Sequence, residues 1–260
     1  MLRVALTIAG SDPSGGAGIQ ADLKTFHQFG VYGEAVLTLL TVQNTLGVTR
    51  IEALAPDLVR QQLEAVLLDI PPAAAKTGAL GNAAVVNAIA DMAPSFGFPL
   101  VVDPVLIGKH GSRLLSSDAE NDLKRKLLPQ AFLISPNIFE AEVLTGMDIR
   151  NEIAMREAAL RLMDLGCGAV LIKGGHRSGS PLDVLADSNG LTLFDGKRVN
   201  TPHTHGTGCT YSAAITAGLA LGNDLREAVR RAKSFMQSAI ETSPGLGHGN
   251  GPLNHFAPIL

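Results

Sequence analysis

Six consecutive residues, His205-Gly206-Thr207-Gly208-Cys209-Thr210, combine a glycine-rich turn with a thiol. Glycines at 206 and 208 let backbone amides turn toward one point, because glycine accepts positive φ at little cost. The apolar run that follows, Cys209–Leu221, has helical spacing. The first turn of such a helix leaves N–H groups unpaired and carries a partial positive charge. Gly206, Thr207 and Gly208 are therefore expected to bind an anion, with phosphate the best fit. Cys209 stands on the rim, where the helix end is expected to lower the thiol pKa and let the side chain accept a proton. A phosphate cradle beside a proton acceptor is the minimum equipment for moving a phosphoryl group onto a small alcohol.

Other polar residues punctuate the ends of apolar runs. Lys173 leaves a buried run just before Gly174-Gly175, where a cation can reach phosphates across a cleft. Asn137 and Glu140, three apart, share one helical face. That spacing locally favours a helix cap with a capping Glu; the functional alternative is an oxygen-rich corner holding Mg²⁺ through water and ATP phosphates. Asp103 could add a carboxylate to that corner. Gln43 offers donors and an acceptor suited to the edge of a heteroaromatic ring, although a strand-end Gln can also brace a loop. The first loop, Gly10–Gly18, is glycine-rich but matches neither GxGxxG nor GxxxxGK[ST]. A dinucleotide-dependent oxidoreductase and a P-loop enzyme are disfavoured on that ground. The loop is expected either to be a tight turn or to close its backbone on a small substrate.

Short β-rich runs alternating with helical patterns predict a mostly parallel sheet with helices on both faces. Strands are expected at Val4–Ala9, Glu34–Val42, Ala73–Thr77, Leu100–Asp103, Phe132–Ser135 and Ala169–Lys173. Helices are expected at Ala17–Phe29, Pro56–Asp69, Ala83–Met92, Ser117–Leu128, Ile138–Leu144 and Glu152–Leu165. Beyond Gly174, antiparallel strands are expected at Leu182–Ala186, Leu191–Asp195 and Arg198–Asn200, then helices at Cys209–Leu221 and Leu225–Thr242. Ligands of such sheets sit beyond the carboxyl ends of the strands, where these polar residues fall. No repeat or linker interrupts residues 1–260, so a single domain is expected.

Composition narrows the class further. Charged residues make up only 17% of the 260, with 28 glycines, consistent with much buried backbone and many tight turns. A net charge of −3 without a basic block argues against a nucleic-acid surface. No apolar run approaches the roughly 18 residues that span a bilayer. The first apolar stretch reads as a strand and not as a signal peptide. Cys167 and Cys209 make no disulfide framework, and a reduced cytoplasmic location is expected. Cys167 reads as a small apolar filler. The histidines lack zinc-ligand spacing.

Read together, seven segments resemble one family: GSDPSGGAGIQADLKT at Gly10–Thr25, TVQNT at Thr41–Thr45, VVDPV at Val101–Val105, SPNIFEA at Ser135–Ala141, IKGGH at Ile172–His176, HGTGCT at His205–Thr210 and GPLNHF at Gly251–Phe256. In this order, over essentially the whole chain, they look like the hydroxymethylpyrimidine/phosphomethylpyrimidine kinases of thiamine biosynthesis, within the ribokinase-like superfamily. The resemblance implies a three-layer α/β/α sandwich, ATP, Mg²⁺ and a homodimer. It also implies two successive phosphorylations of 4-amino-5-hydroxymethyl-2-methylpyrimidine, first at its hydroxymethyl group and then on the resulting monophosphate. By the same resemblance Gln43 contacts the pyrimidine edge, with Gly10, Ala17, Asp22, Ala79 and Leu106 completing the substrate side. Asn137, Glu140, Lys173 and Thr207 serve ATP, and Asp103 and Glu140 serve Mg²⁺. Gly206, Thr207 and Gly208 form the anion hole, and Cys209 lies beside the accepting hydroxyl. One position departs from the pattern. After Lys76-Thr77-Gly78 the family usually has Met, and Ala79 here leaves room for a bulkier ring, so a pyridoxal/pyridoxine kinase is the alternative. A non-catalytic nucleotide sensor is disfavoured by the intact set Asn137, Glu140, Lys173 and Cys209.

Overall fold

A computed structural model describes residues 2–108, 111, 113–175 and 179–259; His176, in the glycine loop after Lys173, lies outside them. In chain order the elements are β1 (Val4–Ser11), α1 (Gly18–Gln28), β2 (Tyr32–Asn44), β3 (Gly47–Ala53), α2 (Pro56–Asp69), β4 (Ala74–Thr77), α3 (Ala83–Met92), β5 (Leu100–Val102), α4 (Ala119–Asp122), β6 (Leu133–Ile134), α5 (Ile138–Thr145), α6 (Glu152–Met163), β7 (Val170–Ile172), β8 (Asp183–Asp187), β9 (Gly190–Phe194), α7 (Thr207–Ala220) and α8 (Leu225–Glu241). All nine strands join one sheet in the order β3-β2-β1-β4-β5-β6-β7-β8-β9. The pairings from β2 through β7 are parallel, while β3, β8 and β9 are antiparallel additions at the edges.

Period-two alternation sorts the central strands onto two cores. Leu6, Ile8, Val102, Ile134 and Val170 face a cluster that contains Leu63 of α2, Ile89 of α3, Leu144 of α5 and Leu162 of α6. Their neighbours Ala5, Val101, Leu133 and Leu171 face another, with Phe26 of α1, Ala214 of α7 and Phe235 of α8. Both faces are covered, so the strands are apolar on both sides and read as near-continuous hydrophobic runs. The result is the expected α/β/α sandwich. Strand order reverses at β1, between β2 and β4, and the crevice at such a reversal is where these sheets bind ligands. Among the described residues no helix is long and apolar enough to cross a membrane.

Three stretches differ from the sequence reading. Arg198–Asn200 forms no strand. The run Gly47–Ala53 does form one, because β2 continues past Val42 to Asn44 and turns back on itself. Its exposed Arg50 and Glu52 are what a solvent-facing edge strand carries, and they hide the strand signal. The expected helix Ser117–Leu128 breaks into α4, a π-helical turn at Leu123–Leu127 and a 3₁₀ turn at Leu128–Gln130. Pro129 lacks the N–H that an α-helix would need there.

Phe29, just after α1, and Phe235 of α8 meet edge-to-face at 5.2 Å, and both are buried. Phe235→Ala is expected to lower stability by about 3–5 kcal/mol, read as a shift in the urea midpoint.

Candidate active site

A cavity of about 540 Å³ opens at the carboxyl ends of β1, β2, β4, β5 and β7 and at the N-terminus of α7. Gly10, Ala17, Gln43, Ala79, Asp103, Asn137, Glu140, Lys173, Gly206, Thr207, Gly208 and Cys209 all line it. Two expected substrate residues do not. Leu106 packs into the core beneath the loop after β5, at 2% exposure. Asp22 is fully buried in α1, where it serves as the counterion of Lys76. Both belong to the structure behind the cavity wall, and the assignment of either to substrate contact is corrected.

The anion end is built by α7. Gly206 caps the helix with φ +79°, a left-handed conformation that suits glycine. A Cβ added at Gly206 would lie 1.8 Å from the carbonyl oxygen of Gly16, so only glycine lets the helix start touch the first loop. Thr207 Oγ1 donates to the Thr204 carbonyl at 2.5 Å and closes the turn. Lys173 Nζ donates to Asp103 Oδ1 at 2.8 Å, and a Cβ on Gly208 would lie 3.6 Å from both Asp103 Oδ2 and Lys173 Nζ. A helix N-terminus and a buried ammonium thus face the same space. Burial disfavours the Lys173 charge, but Asp103 and Glu140 outweigh it and raise the pKa above its usual value.

Asn137 and Glu140 realise the cap reading of their spacing. They form a capping box, with Asn137 Oδ1 accepting the Glu140 N–H at 2.9 Å and Glu140 Oε2 accepting the Asn137 N–H at 2.8 Å. They also line the cavity beside Lys173. Burial pushes the Glu140 carboxyl up to about 7, with Lys173 pulling down and Asp103 pushing up.

Cys209 departs from expectation in its chemistry. Its thiol is pushed up to about 11, not lowered. Burial is the main cause, and Asp22 and Asp103 add to it, while Lys76 and the Gly18 N–H pull the other way. The helix end is outweighed by desolvation. Under the cysteine lies a fully buried ion pair that the sequence reading passed over. Lys76 Nζ is 2.8 Å from Asp22 Oδ1 and 3.4 Å from the Cys209 carbonyl, and Thr7 donates to Asp22 Oδ2 at 2.6 Å. Burial opposes the Lys76 charge, and Asp22 holds the ammonium charged against it. The available signal was a lysine inside an otherwise uncharged buried strand, which demands a buried partner.

The cavity wall next to the α7 cap is also braced by residues not assigned to the site. His205 Nε2 lies 2.7 Å from Asp12 Oδ2 and 3.0 Å from the Gln43 amide. Asp12 gathers the first loop, accepting N–H groups from Ser14, Gly16 and Ala17. Burial works against the Asp12 charge, yet His205 and Ser14 hold its carboxyl below the usual range.

A doubly covered, mostly parallel sheet with a cavity at its switch point, a glycine-capped helix end and a lysine paired with Asp103 in that cavity define a small-molecule kinase of the ribokinase-like kind. Residues 12–254 match the sequence model of a family described as phosphomethylpyrimidine kinase. The chain is 48% identical over 263 residues to the hydroxymethylpyrimidine/phosphomethylpyrimidine kinase of Haemophilus influenzae, covering 98% of this chain and 97% of that protein. It superimposes on the crystal structure of phosphomethylpyrimidine kinase from Clostridium difficile 630 with a TM-score of 0.82 at 43% identity, over 92% of this chain and 99% of that one. It also superimposes on an ADP complex of Bacillus subtilis pyridoxal kinase with a TM-score of 0.91 at 38% identity, over 99% and 98% of the two chains. The chain belongs to the phosphomethylpyrimidine kinase family.

Lys76→Met removes one partner of a fully buried pair and is expected to cost about 3–5 kcal/mol. Lys76→Met combined with Asp22→Leu should recover much of that loss, which thermal unfolding of the two variants will show. Glu140 gives a pH signature with a defined sign. Its pKa is 4.5 in the unfolded chain and about 7 when folded, so between those values the folded state holds the extra proton. Glu140 therefore makes stability fall as pH rises through that window. Glu140→Gln should flatten the decline when melting temperature is recorded against pH.

Proposed function

We propose that this chain transfers the γ-phosphoryl group of ATP to 4-amino-5-hydroxymethyl-2-methylpyrimidine, and then phosphorylates the monophosphate to the diphosphate, as a step in thiamine biosynthesis. The observation that carries the reading is one cavity lined by Gln43, by the Gly206–Gly208 cradle and by Lys173. Gln43 receives the pyrimidine edge, and Gly10, Ala17 and Ala79 shape the recess around the ring. The reaction needs positioning and charge neutralisation more than covalent help. Lys173 and the first amides of α7 supply positive charge where the phosphoryl group migrates, with Asn137, Glu140 and Thr207 on the nucleotide side. Membership in the family extends the proposal to one kinase domain over residues 1–260 that works in the cytoplasm as a homodimer.

The acidic groups fit Mg²⁺ of a particular kind. Among the described residues no three His, Cys, Asp or Glu side chains form a cage that could hold a metal. Asp103 and Glu140 offer hard carboxylate oxygens beside the phosphate cradle, which suits an ion that keeps waters and binds through one or two carboxylates plus phosphates. Those two residues would hold it, and when bound it neutralises phosphate charge.

Cys209 is better suited to positioning the alcohol than to taking its proton. With a pKa of about 11, forming the thiolate at neutral pH costs about 5 kcal/mol. General base catalysis is worth roughly 10²- to 10⁴-fold, about 3–5 kcal/mol, so the cost cancels the gain. The phosphates of ATP would raise the thiol further.

A second alcohol belongs beside the first. Ala79 stands at the ring-shaping position, and the superimposable Bacillus subtilis protein is a pyridoxal kinase. The deciding assay incubates the protein with Mg·ATP and either hydroxymethylpyrimidine or pyridoxal, and resolves mono- from diphosphate. Diphosphate from the pyrimidine supports the proposal; turnover of pyridoxal alone replaces it with the second reading. In the same assay Cys209→Ala should slow both steps to a similar extent, within about threefold of each other. A first-step loss at least tenfold larger would restore the cysteine as a base.

A further inference from the structure

We propose that Asp12 and His205 lock the amide of Gln43 in one orientation, and that this lock selects an aminopyrimidine edge over its oxo counterpart. The inference rests on the pyrimidine reading of the cavity.

Asp12 is 2% exposed and surrounded by donors. Oδ1 accepts the Ser14 backbone N–H at 2.9 Å and its hydroxyl at 2.7 Å, while Oδ2 accepts the N–H groups of Gly16 at 3.2 Å and Ala17 at 2.8 Å. A carboxylate in that setting can only accept. His205 Nε2, 2.7 Å from Asp12 Oδ2, must therefore carry a hydrogen and donate it. This holds whether the imidazole is neutral or charged. The end of the Gln43 amide lies 3.0 Å from the same nitrogen. An NH₂ group facing an N–H at that distance would set donor against donor. Turning the amide over removes the conflict, because its carbonyl oxygen then shares the Nε2 hydrogen with Asp12. The NH₂ is left on the side away from His205.

His205 has little freedom to release this arrangement. Its backbone N–H donates to the Gly251 carbonyl at 3.1 Å, and it lies so close to Gly16 that an added Cβ there would meet the ring at 2.6 Å. Because Gly206 follows it directly, the His205 side of the amide is also the phosphate side of the cavity. On the pyrimidine, the amino group is the ring neighbour of the hydroxymethyl group, and a ring nitrogen comes next. With the hydroxymethyl directed at the cradle, the amino group falls on the His205 side, opposite the locked carbonyl oxygen. The ring nitrogen then falls opposite the NH₂. An oxo group in place of the amino group reverses both partners, setting oxygen against oxygen and N–H against N–H. A site built to hydrogen-bond in one sense rejects the opposite sense strongly, because its own polar groups are left unpaired.

The test compares the aminopyrimidine alcohol with its 4-oxo isostere as substrates for wild type and His205→Leu. Wild type is expected to prefer the amino compound by at least about 10²-fold in kcat/KM. In His205→Leu the amide can turn, so the preference should fall at least about tenfold, mainly through KM, with kcat for the amino compound much less affected. A merely structural role would lower both substrates together and leave their ratio intact. ¹⁵N spectra of histidine-labelled wild type give an independent reading, with His205 Nε2 expected to be protonated at neutral pH. A folded His205→Leu variant with undiminished preference, or a bare Nε2 in wild type, overturns the lock. Failure of wild type to phosphorylate the aminopyrimidine alcohol would instead overturn the substrate reading, and the ¹⁵N result would still decide the lock.

Discussion

The cavity depends on one tight approach: Gly206 against the carbonyl of Gly16, with no room for a side chain between them. This contact seats the N-terminus of α7 against the glycine-rich loop that follows β1. The residues are about 190 apart in sequence, and their meeting makes one cavity of two separate motifs. One motif supplies the helix-end amides, and the other supplies the Asp12-centred turn. Without the contact the cradle and the recess would be unconnected surface features.

Around that contact the protein sets ionisable side chains in pairs. Lys76 with Asp22, Lys173 with Asp103, and His205 with Asp12 all lie at or behind the cavity wall. Such pairs are weak evidence for stability, because desolvation offsets much of the attraction. Their value here lies in placement. Each holds a polar group where solvent would otherwise let it wander: the Cys209 turn, the Lys173 ammonium and the Gln43 amide. The same burial explains why Cys209 is a poor acid and why Glu140 titrates near neutrality. Phosphoryl transfer profits from such an environment, since preorganised charge in a dry site acts more strongly than in water.

Much of the architecture was legible because it follows from local rules. Runs such as Val4–Ser11 and Val170–Ile172 are apolar on both faces, which only a doubly covered sheet can satisfy. Pro56 marks a helix start through its fixed φ and missing N–H. The edge strand Gly47–Ala53 was hidden because solvent exposure gives it charged residues where a buried strand would carry apolar ones. Most residues assigned to the cavity reached it, because they stand at carboxyl ends of parallel strands, and the sheet brings those ends to one edge.

Asp22 and Leu106, placed on the substrate side by resemblance, do not line the cavity, and only the packing of α1 and of the loop after β5 decides which way those side chains face. By itself the sequence determined the elements, their alternation and the edge at which polar residues gather, because these follow from hydrophobic period and turn chemistry. Tertiary structure alone decided that Lys76 would lie under Cys209, that His205 would meet both Asp12 and Gln43, and that the thiol would be raised instead of lowered. Those outcomes depend on distance and desolvation between residues far apart in the chain, and neither quantity is written in local spacing.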